Sequence, residues 1–557
     1  MPWPRTRIVA PIGWRKQPKI QAEETKSKAY RTRSKAYWLL PRGLPMLRPI
    51  LSAEVRVGMN SSLKPPFRSI ILTRPKELPM MTSHSSHSDL LSDWIENLDI
   101  AQIPDDAKDA AKNCLIDAVA CMVGGIHLES SRVVLEVLTE SGSGNQVAVP
   151  GAADRLGVLD AAWLGGHTAN ALDFDDCFRD GAPSHPGATI IPPALAIAEA
   201  RNADGAALLK AIVAGYEVSL RIGRALDASP ARKADVMGYG TWQTFGAAVA
   251  GASILGLDAA RIRSAFGIAA MQAPVPGVRK AVEGLRPYGW IKNAYGAASY
   301  AGLLSALLAE KGFHGHQQVL EGPYGFWIMS GSDRHDAEGY RELGEDWMVR
   351  RVEFKPYACC RWSHTAIEGL ANLRQGLDAG DVARVDIYGF GEFHTALGGE
   401  LPSTIVDAQF NAPYLGALEL MDRSPARGLA ERDLNDPQVL EMASRIHLHH
   451  EPAFDAAHHR AMSTPVRVVL TTADGATRET YIEEPPTSVK RGGFSRAQIC
   501  EKFLTVCSPI LGDTRATTAL ASMLDLEHSD ARTLAGLLSA PAGTASLLPD
   551  RGIPDRD

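Results

Sequence analysis

The residues best suited to chemistry lie in one short segment, residues 170–177 (NALDFDDC), which is followed eight residues later by a His-Pro-Gly triplet beginning at His185. The segment brings Asp173, Asp175 and Asp176 close in sequence to an imidazole, between two apolar stretches with helical spacing. Burying such charges carries a large desolvation cost unless they are paired or lie in a water-filled cleft. Carboxylates and an imidazole at this density are suited to proton transfer, so we predict that this segment is the catalytic centre.

The elements that must position this segment are mainly helices. Apolar residues recur at helical spacing from residue 88 onward, and Ala and Gly fill many of the apolar positions, which allows close helix packing. We therefore predict a helical domain over residues 88–349. Its helices are predicted at about residues 130–141, 155–173, 190–202, 204–226, 240–255, 259–273, 288–312 and 338–344, after two shorter helical patterns near residues 90–98 and 103–124.

The period changes past residue 350. Residues 383–390 alternate as a half-buried strand does, and residues 466–472 and 477–482 predict a hairpin around Asp474-Gly475. A helical, apolar run at residues 405–421 lies between them, so residues 350–490 are predicted to form an α+β domain. Helices at 495–507 and 514–523 are assigned to a C-terminal segment, residues 491–530, that returns to the helical domain, and residues 531–557 are predicted to be a flexible tail. The predicted fold class is mainly α.

Composition narrows the class of protein. The chain has 557 residues, of which 45% are apolar and 22% charged, which is ordinary for a globular protein of two or three domains. No apolar run reaches the length of a membrane span, so no membrane association is predicted. The seven cysteines show no CxxC or zinc-like spacing, and this pattern favours a reducing cytoplasm.

Residues 1–80 differ from the rest, because they carry 17 Lys and Arg residues against four Glu. A nucleic-acid-binding arm would need basic runs interleaved with aromatic residues, whereas these charges are scattered, so no nucleic-acid partner is predicted. A transit peptide fits the basic, acid-poor composition in part and would place the protein in the mitochondrial matrix. The interpretation favoured here is a disordered basic extension, not necessarily part of the native chain, with the folded protein beginning near Met81.

Familiar cofactor motifs are missing from the sequence. It contains no GxGxxG after a strand, no P-loop, no GxSxG and no HExxH. The histidine pairs His449/His450 and His458/His459 lack nearby cysteines and are predicted to lie in an exposed loop rather than in a metal site. The sequence therefore predicts neither a metal ion nor a nucleotide or flavin cofactor.

Several segments jointly resemble the MmgE/PrpD family, which includes 2-methylcitrate dehydratase, cis-aconitate decarboxylase and iminodisuccinate epimerase. Order and spacing hold over roughly residues 88–510. The resemblance implies a helical domain plus a smaller α+β lid, a cleft between them, a homodimer, no cofactor, and a small polycarboxylate substrate. The matching segments begin at Leu172 (LDFDD), His185 (HPG), Gly215 (GYE), Thr244 (TFGAA), Leu320 (LEG), Lys355 (KPY), Asp407 (DAQF) and Gly492 (GGFS).

The resemblance also assigns roles to individual residues. It implies catalytic roles for Asp173, His185 and Lys292, with Asp173 and His185 as the working pair and Lys292 as a base or enolate stabiliser. Asp175 is predicted to be structural. Substrate binding is assigned to a second group that includes two cations able to clamp carboxylates. This group is Asp176, Lys355, Cys360, Arg361 and Tyr414.

Four positions depart from the pattern of the family. Asn170 and Gly240 stand where the family often has histidine, Cys177 replaces a threonine, and Cys360 replaces a lid histidine of the decarboxylase branch. The loss of imidazoles argues against a faithful copy of the decarboxylase. The first hypothesis is therefore a cofactor-independent lyase resembling 2-methylcitrate dehydratase, which removes a carbon-bound proton and water from a citrate-like acid. An epimerase or decarboxylase acting on a related di- or tricarboxylate is one alternative, and a non-catalytic carboxylate-binding homologue is another.

Overall fold

The computed structural model describes residues 86–181, 183–229, 231–232, 240–275, 286–289 and 293–541. The predicted basic extension, residues 1–80, lies outside these ranges. Within them the protein is mainly helical, with one four-stranded sheet and one two-stranded ribbon. The predicted fold class, a large helical part with a smaller α+β part, is confirmed.

The first half of the described chain is built from helices whose ends are capped by short polar side chains. Ser86 and Asp89 form a reciprocal capping box at the first helix, and Asp204 and Asp258 accept hydrogen bonds from first-turn amides of two others. These caps fix the boundaries that the apolar periodicity leaves open. The helices are α1 (His87–Asn97), α2 (Asp105–Gly125), α3 (Glu129–Glu140), α4 (Val158–Ala171), α5 (Pro186–Arg201), α6 (Gly205–Ala225), α7 (Thr244–Ile254), α8 (Ala259–Gln272), α9 (Asn293–Glu310) and α10 (Phe326–Met329).

A short antiparallel ribbon of β1 (Val147–Ala148) and β2 (Arg155–Leu156) joins α3 to α4. Helices α4, α5, α7 and α9 pack closely on one another, because glycines at their contacts let the backbones approach. At Gly166 of α4, for example, a Cβ atom would lie 2.9 Å from the carbonyl oxygen of Tyr295 in α9. One helix predicted at residues 338–344 is instead a single 3-10 turn, Ala337–Tyr340.

The α+β part contains a sheet with the strand order β4-β3-β5-β6. Strand β3 runs parallel to β4 and antiparallel to β5, and β5 and β6 form the hairpin predicted around Asp474-Gly475. Alternate residues of β5 are buried, and helix α11 packs on that strand. The strands are β3 (Val382–Gly389), β4 (Ile446–His450), β5 (Val466–Thr472) and β6 (Thr477–Ile482). The helices are α11 (His364–Leu373), α12 (Gly391–Leu397), α13 (Ile405–Ala408), α14 (Ala412–Leu420), α15 (Glu431–Leu434), α16 (Pro437–Ser444) and α17 (Pro452–Ala461).

The histidine-rich part of this region is more ordered than predicted. His449 and His450 lie on strand β4, and His458 lies on helix α17, where its ring stacks on Phe390 with 3.8 Å between centroids. The predicted exposed loop is therefore corrected to a strand and a helix. The strand was missed because its pairing with β3 joins segments about sixty residues apart, and no local pattern records that pairing.

The last part of the chain packs against the helical part. Helix α18 (Arg496–Leu511) lies on α2, and α19 (Asp513–Leu524) packs on α18. A further helix, α20 (Ala531–Leu538), lies in the segment predicted to be a flexible tail and packs on α5. The tail prediction is corrected for these residues because Ala531, Leu534 and Leu538 are buried at helical spacing.

Among the described residues, no single helix is long and apolar enough to cross a membrane. Helices α2 and α3 reach the required length and composition only when taken together, and they are bent by 84° at the break between them.

Candidate active site

The acidic segment leaves helix α4 through a sharp turn. Helix α4 ends at Ala171, and Asp173 adopts the left-handed conformation with φ of 51°, which is uncommon for a residue with a side chain. The amide of Asp173 donates to the carbonyl of Asn170 at 2.9 Å and closes the turn. After this turn, each of the three carboxylates has its own partners.

Asp175 is the carboxylate that contacts the imidazole of His185. The distance from Nδ1 of His185 to Oδ2 of Asp175 is 3.3 Å, and the same nitrogen lies 3.0 Å from the carbonyl oxygen of Asp176. Both neighbours are acceptors, so Nδ1 is the donor nitrogen of this imidazole. Burial alone would raise the pKa of Asp175, but the charge of His185 and its hydrogen bond outweigh burial and hold that pKa below its usual value.

Asn170 fixes Asp175 from the other side. Its side-chain amide donates to both carboxylate oxygens, at 2.8 and 3.0 Å, and both residues are fully buried. The departure from the family at position 170 therefore has a specific local role, which is to hold the carboxylate that orients His185. Asp175, predicted to be structural, is the partner of His185 in the structure, and this corrects the predicted pairing of His185 with Asp173.

Asp173 is paired with Lys355 instead. The ammonium of Lys355 lies 3.2 Å from Oδ1 of Asp173 and donates to its carbonyl oxygen at 3.0 Å. Burial alone would lower the pKa of Lys355, but the charges of Asp173 and Asp175 outweigh burial and raise it above its usual value, so the group stays an ammonium. Because the residue is only 1% exposed, this placement favours a role in fixing Asp173 and supplying positive charge over the predicted direct binding of a carboxylate.

Asp176 holds the start of helix α5 in place. Its two oxygens accept from the amide of Gly187 at 2.8 Å and from the hydroxyl of Tyr216 at 2.6 Å. Burial, followed by the charge of Asp117, raises the pKa of Asp176 well above its usual value, although both hydrogen bonds oppose that shift. The residue is fully buried, so its placement favours a structural role over the predicted binding of substrate.

A second ion-pair network connects the acidic segment to the α+β part. Glu353 accepts from Arg179 at 2.7 and 2.9 Å and from Arg361 at 2.8 Å. The backbones of Cys177 and Glu353 also exchange two hydrogen bonds of 2.8 Å. Arg361 donates to Thr487 at 2.9 Å as well, so this guanidinium is engaged within the protein. Its placement favours a structural role over the predicted carboxylate clamp.

The two cysteines that depart from the family both lie near Lys355. Both thiols lie within electrostatic range of the Lys355 ammonium. Burial raises the pKa of Cys177 to about 11, so its thiol stays protonated. Cys360 is half-buried, and its amide donates to the carbonyl of Gln409 at 2.9 Å. The predicted substrate contact of Cys360 stays a prediction.

Gly240, the remaining departure, has a φ of 88°. A histidine at this position would be strained, because residues with a Cβ atom rarely adopt that conformation. The loss of the family imidazole therefore coincides with a local backbone that suits glycine.

Two predicted site residues remain, Lys292 and Tyr414. Lys292 lies outside the described residues, so its catalytic role stays a prediction. Tyr414 is buried in helix α14, and burial together with the charge of Asp433 raises the pKa of its phenol. Its hydroxyl has no hydrogen-bond partner among the described residues, and its charged neighbours are those of the α+β part. This environment favours the alternative that Tyr414 anchors its helix.

Sequence reasoning missed two residues behind the cluster. Lys502 of helix α18 donates to Asp117 of α2 at 2.6 Å and to the carbonyl oxygen of Phe174 at 2.5 Å. The available signal was Asp117, which lies in the otherwise apolar second half of α2, residues 114–125. Among the described residues no group of three or more His, Cys, Asp or Glu side chains is arranged to hold a metal ion.

The chain is similar in sequence to known proteins. Residues 89–337 match the MmgE/PrpD N-terminal domain, and residues 357–527 match the MmgE/PrpD C-terminal domain. The chain is 28% identical over 486 residues to the cis-aconitate decarboxylase-like protein oryM of Aspergillus oryzae, a match that covers 81% of this chain and 96% of that protein. It is 26% identical over 482 residues to a cis-aconitate decarboxylase of Aspergillus terreus, covering 80% and 95%. The human cis-aconitate decarboxylase is 24% identical over 480 residues, covering 80% and 93%. Both domains are matched in order and together span most of the described chain, so the protein belongs to the MmgE/PrpD family.

Proposed function

We propose that this protein is a cofactor-independent lyase that decarboxylates a small unsaturated polycarboxylate of the cis-aconitate type. The observation that carries the proposal is the placement of His185. Among the carboxylate, ammonium and imidazole groups of the described cluster, its side chain is the one with a substantial exposed fraction, 18%. The charged partners behind it are buried, so the described part of the site offers a substrate one proton carrier in a fixed orientation.

Decarboxylation needs only one proton carrier, which the described part of the site supplies in His185. Cleavage of the carbon–carbon bond releases CO2 and leaves the electron pair on carbon, where the neighbouring carboxylate and double bond delocalise it. The protonated His185 then delivers the proton on Nε2 to that carbon, and the imidazole regains a proton from solvent. The buried ammonium of Lys355 and the N-terminus of helix α5, which starts directly after His185, supply positive potential for the anionic state.

The other reactions of the family need more proton carriers. Dehydration of a citrate-like acid requires one group to remove a carbon-bound proton and a second to assist the loss of hydroxide. Epimerisation requires two carriers on opposite faces of the carbon. The relatives reported above are named for decarboxylation of cis-aconitate, which supports the same choice. The imidazoles missing at residues 170, 240 and 360 argue against a faithful copy of the decarboxylase, but protonation of one carbon requires only His185. The dehydration favoured from sequence therefore becomes the second candidate.

The test is a substrate panel in deuterated water, followed by NMR. The panel contains cis-aconitate, citrate, 2-methylcitrate, iminodisuccinate and tartrate. We expect cis-aconitate to disappear with release of CO2 and with one deuteron on the product carbon. A new conjugated alkene from citrate or 2-methylcitrate would instead establish dehydration, and deuterium in recovered iminodisuccinate would establish epimerisation. A folded protein that converts no member of the panel would overturn the lyase proposal.

His185→Asn links the reaction to this site. We expect the kcat to fall by roughly 10²–10⁴-fold, which is the usual contribution of a general acid or base. The matched control is His528→Gln, because His528 pairs with Asp525 on the surface and is 81% exposed. Full activity in His185→Asn would place the chemistry elsewhere. The implied homodimer and the cytoplasmic location stay predictions.

A further inference from the structure

Lys502 lies behind the candidate site and is buried, although it is carried by a helix from the far end of the chain. Its ammonium donates to Asp117 at 2.6 Å, to the carbonyl oxygen of Phe174 at 2.5 Å and to the carbonyl oxygen of Lys355 at 3.3 Å. It also lies 3.9 Å from the centre of the Phe174 ring. All three ammonium protons are therefore used within the protein, so this group does not serve as a base or as a substrate ligand.

The two carbonyls that Lys502 binds belong to the parts that form the site. Phe174 lies between Asp173 and Asp175, which are the partners of Lys355 and His185. The second carbonyl is that of Lys355 itself. One ammonium thus fixes the backbone on both sides of the Asp173–Lys355 pair, and it does so from helix α18.

The buried pair with Asp117 is not explained by stability alone. Burial raises the pKa of Asp117, and the charge of Lys502 opposes that shift. The second oxygen of Asp117 has no hydrogen-bond partner among the described residues, so the carboxylate is incompletely satisfied. Replacing a buried ion pair by apolar side chains of similar size is often neutral or stabilising. Since the pair also contacts two segments of the site, its placement suggests a role in geometry.

We infer that Lys502 is a positioning residue of the lyase reaction, acting through the backbone of Phe174 and Lys355, with Asp117 as its anchor. The inference rests on the proposed function, because it assigns to Lys502 the alignment of Asp173, Lys355 and the His185–Asp175 pair. It differs from a purely structural role in one respect: removing the ammonium misplaces the site even when the fold is kept.

The test replaces both members of the pair, Lys502→Met together with Asp117→Leu, so that no unpaired charge is left buried. The protein is assayed well below its unfolding temperature. We expect the kcat to fall by roughly 10²-fold, the effect of a misplacement of about 1 Å at a reacting centre, with a much smaller change in KM. A folded double variant with the kcat of the original protein would overturn the inference.

The chain offers a matched control on the same helix. Lys112 of α2 pairs with Glu527 at 2.6 Å, and this pair also joins α2 to the C-terminal part. Among the described contacts it reaches neither Phe174 nor Lys355. Lys112→Met together with Glu527→Leu is expected to leave the kcat unchanged. An equal loss of kcat in both double variants would show that any weakening of this helix contact lowers activity, which would contradict a specific role for Lys502.

A second readout does not depend on turnover. The amides of Cys177 and Glu353 donate hydrogen bonds across the junction between the acidic segment and the α+β part. The hydrogen exchange of these two amides therefore reports the geometry of the junction. We expect faster exchange in peptides containing these two amides in the Lys502 double variant and unchanged exchange in the control. Unchanged exchange in both would overturn the inference. If the original protein converts no member of the panel, the proposed function fails, while the exchange measurement still decides the positioning role.

Discussion

Gly187→Ala tests the contact between helix α5 and the acidic segment. A Cβ atom at residue 187 would lie 2.8 Å from Oδ1 of Asp176 and 3.0 Å from its Cγ, distances that real Cβ contacts essentially never show. The carboxylate cannot move freely, because it is fully buried and accepts from Gly187 at 2.8 Å and from Tyr216 at 2.6 Å. Losing one hydrogen bond to such a group costs about 1.5–3 kcal/mol, and overpacking adds about 1–3 kcal/mol. The alanine recovers up to about 1 kcal/mol of helix propensity.

The expected net effect is therefore a loss of about 1.5–6 kcal/mol in the free energy of unfolding. It is measured by urea denaturation followed by circular dichroism, with the same slope assumed for all variants. The control is Gly536→Ala in helix α20, where nothing lies within 4 Å of the new Cβ atom. That change is expected to stabilise by about 0.5–1 kcal/mol. If Gly187→Ala is as stable as the original protein, the close contact with Asp176 is not a constraint and the role assigned to Asp176 is refuted.

Three further predictions follow from the charged groups. Glu353→Gln leaves the buried guanidinium of Arg361 without its carboxylate, while Arg179 keeps Glu484, and it should cost about 3–5 kcal/mol of stability. Glu338→Gln on the exposed surface should change the stability by less than about 1 kcal/mol, and equal effects in denaturation would contradict the network. Asp175→Asn should lower the kcat by roughly 10²–10⁴-fold, and full activity in this variant would refute the orienting role. The double variant Asn170→Asp with Asp175→Asn, which exchanges the two side chains, should regain stability but only part of the rate. Burial, aided by two neighbouring cations, holds the pKa of His364 well below its usual value, so its contribution to stability is present above about pH 6.5 and is lost as the pH falls. The stability of the protein relative to His364→Gln should therefore decline between pH 7.5 and 5.5, and a constant difference would contradict this.

Much of the fold could be predicted because its signals are local. Apolar residues at helical spacing indicated most helices within a few residues, and the Asp474-Gly475 turn indicated the β5–β6 hairpin with its boundaries. Strand β4 could not be predicted in the same way, because it pairs in parallel with a distant strand. Helix α20 was missed because a short amphipathic helix near a polar terminus has few local features that separate it from a tail.

The candidate site shows the same division. The acidic segment and His185 were recognisable from residue types, but their pairing depended on the left-handed backbone at Asp173, which no pattern of residue types records. In the sequence, Arg361 appeared to be a free cation. In the structure it donates to Glu353, which also accepts from Arg179, 174 residues before Glu353, and no local pattern indicates this network. Sequence therefore singled out the candidate residues, while the three-dimensional contacts showed which carboxylate pairs with which base.

The Lys502–Asp117 pair has a consequence for how the protein is made. The two residues are 385 positions apart, and the ribosome releases helix α18 only after the rest of the described site has been synthesised. Until then the nascent chain lacks the ammonium of Lys502, which pairs with Asp117 and binds the backbone of the acidic segment. The helical core is expected to stay incompletely packed during synthesis and to rely on chaperones at that stage. The final step of folding and the completion of the catalytic centre would then be the same event, so a truncated product would lack both stability and activity.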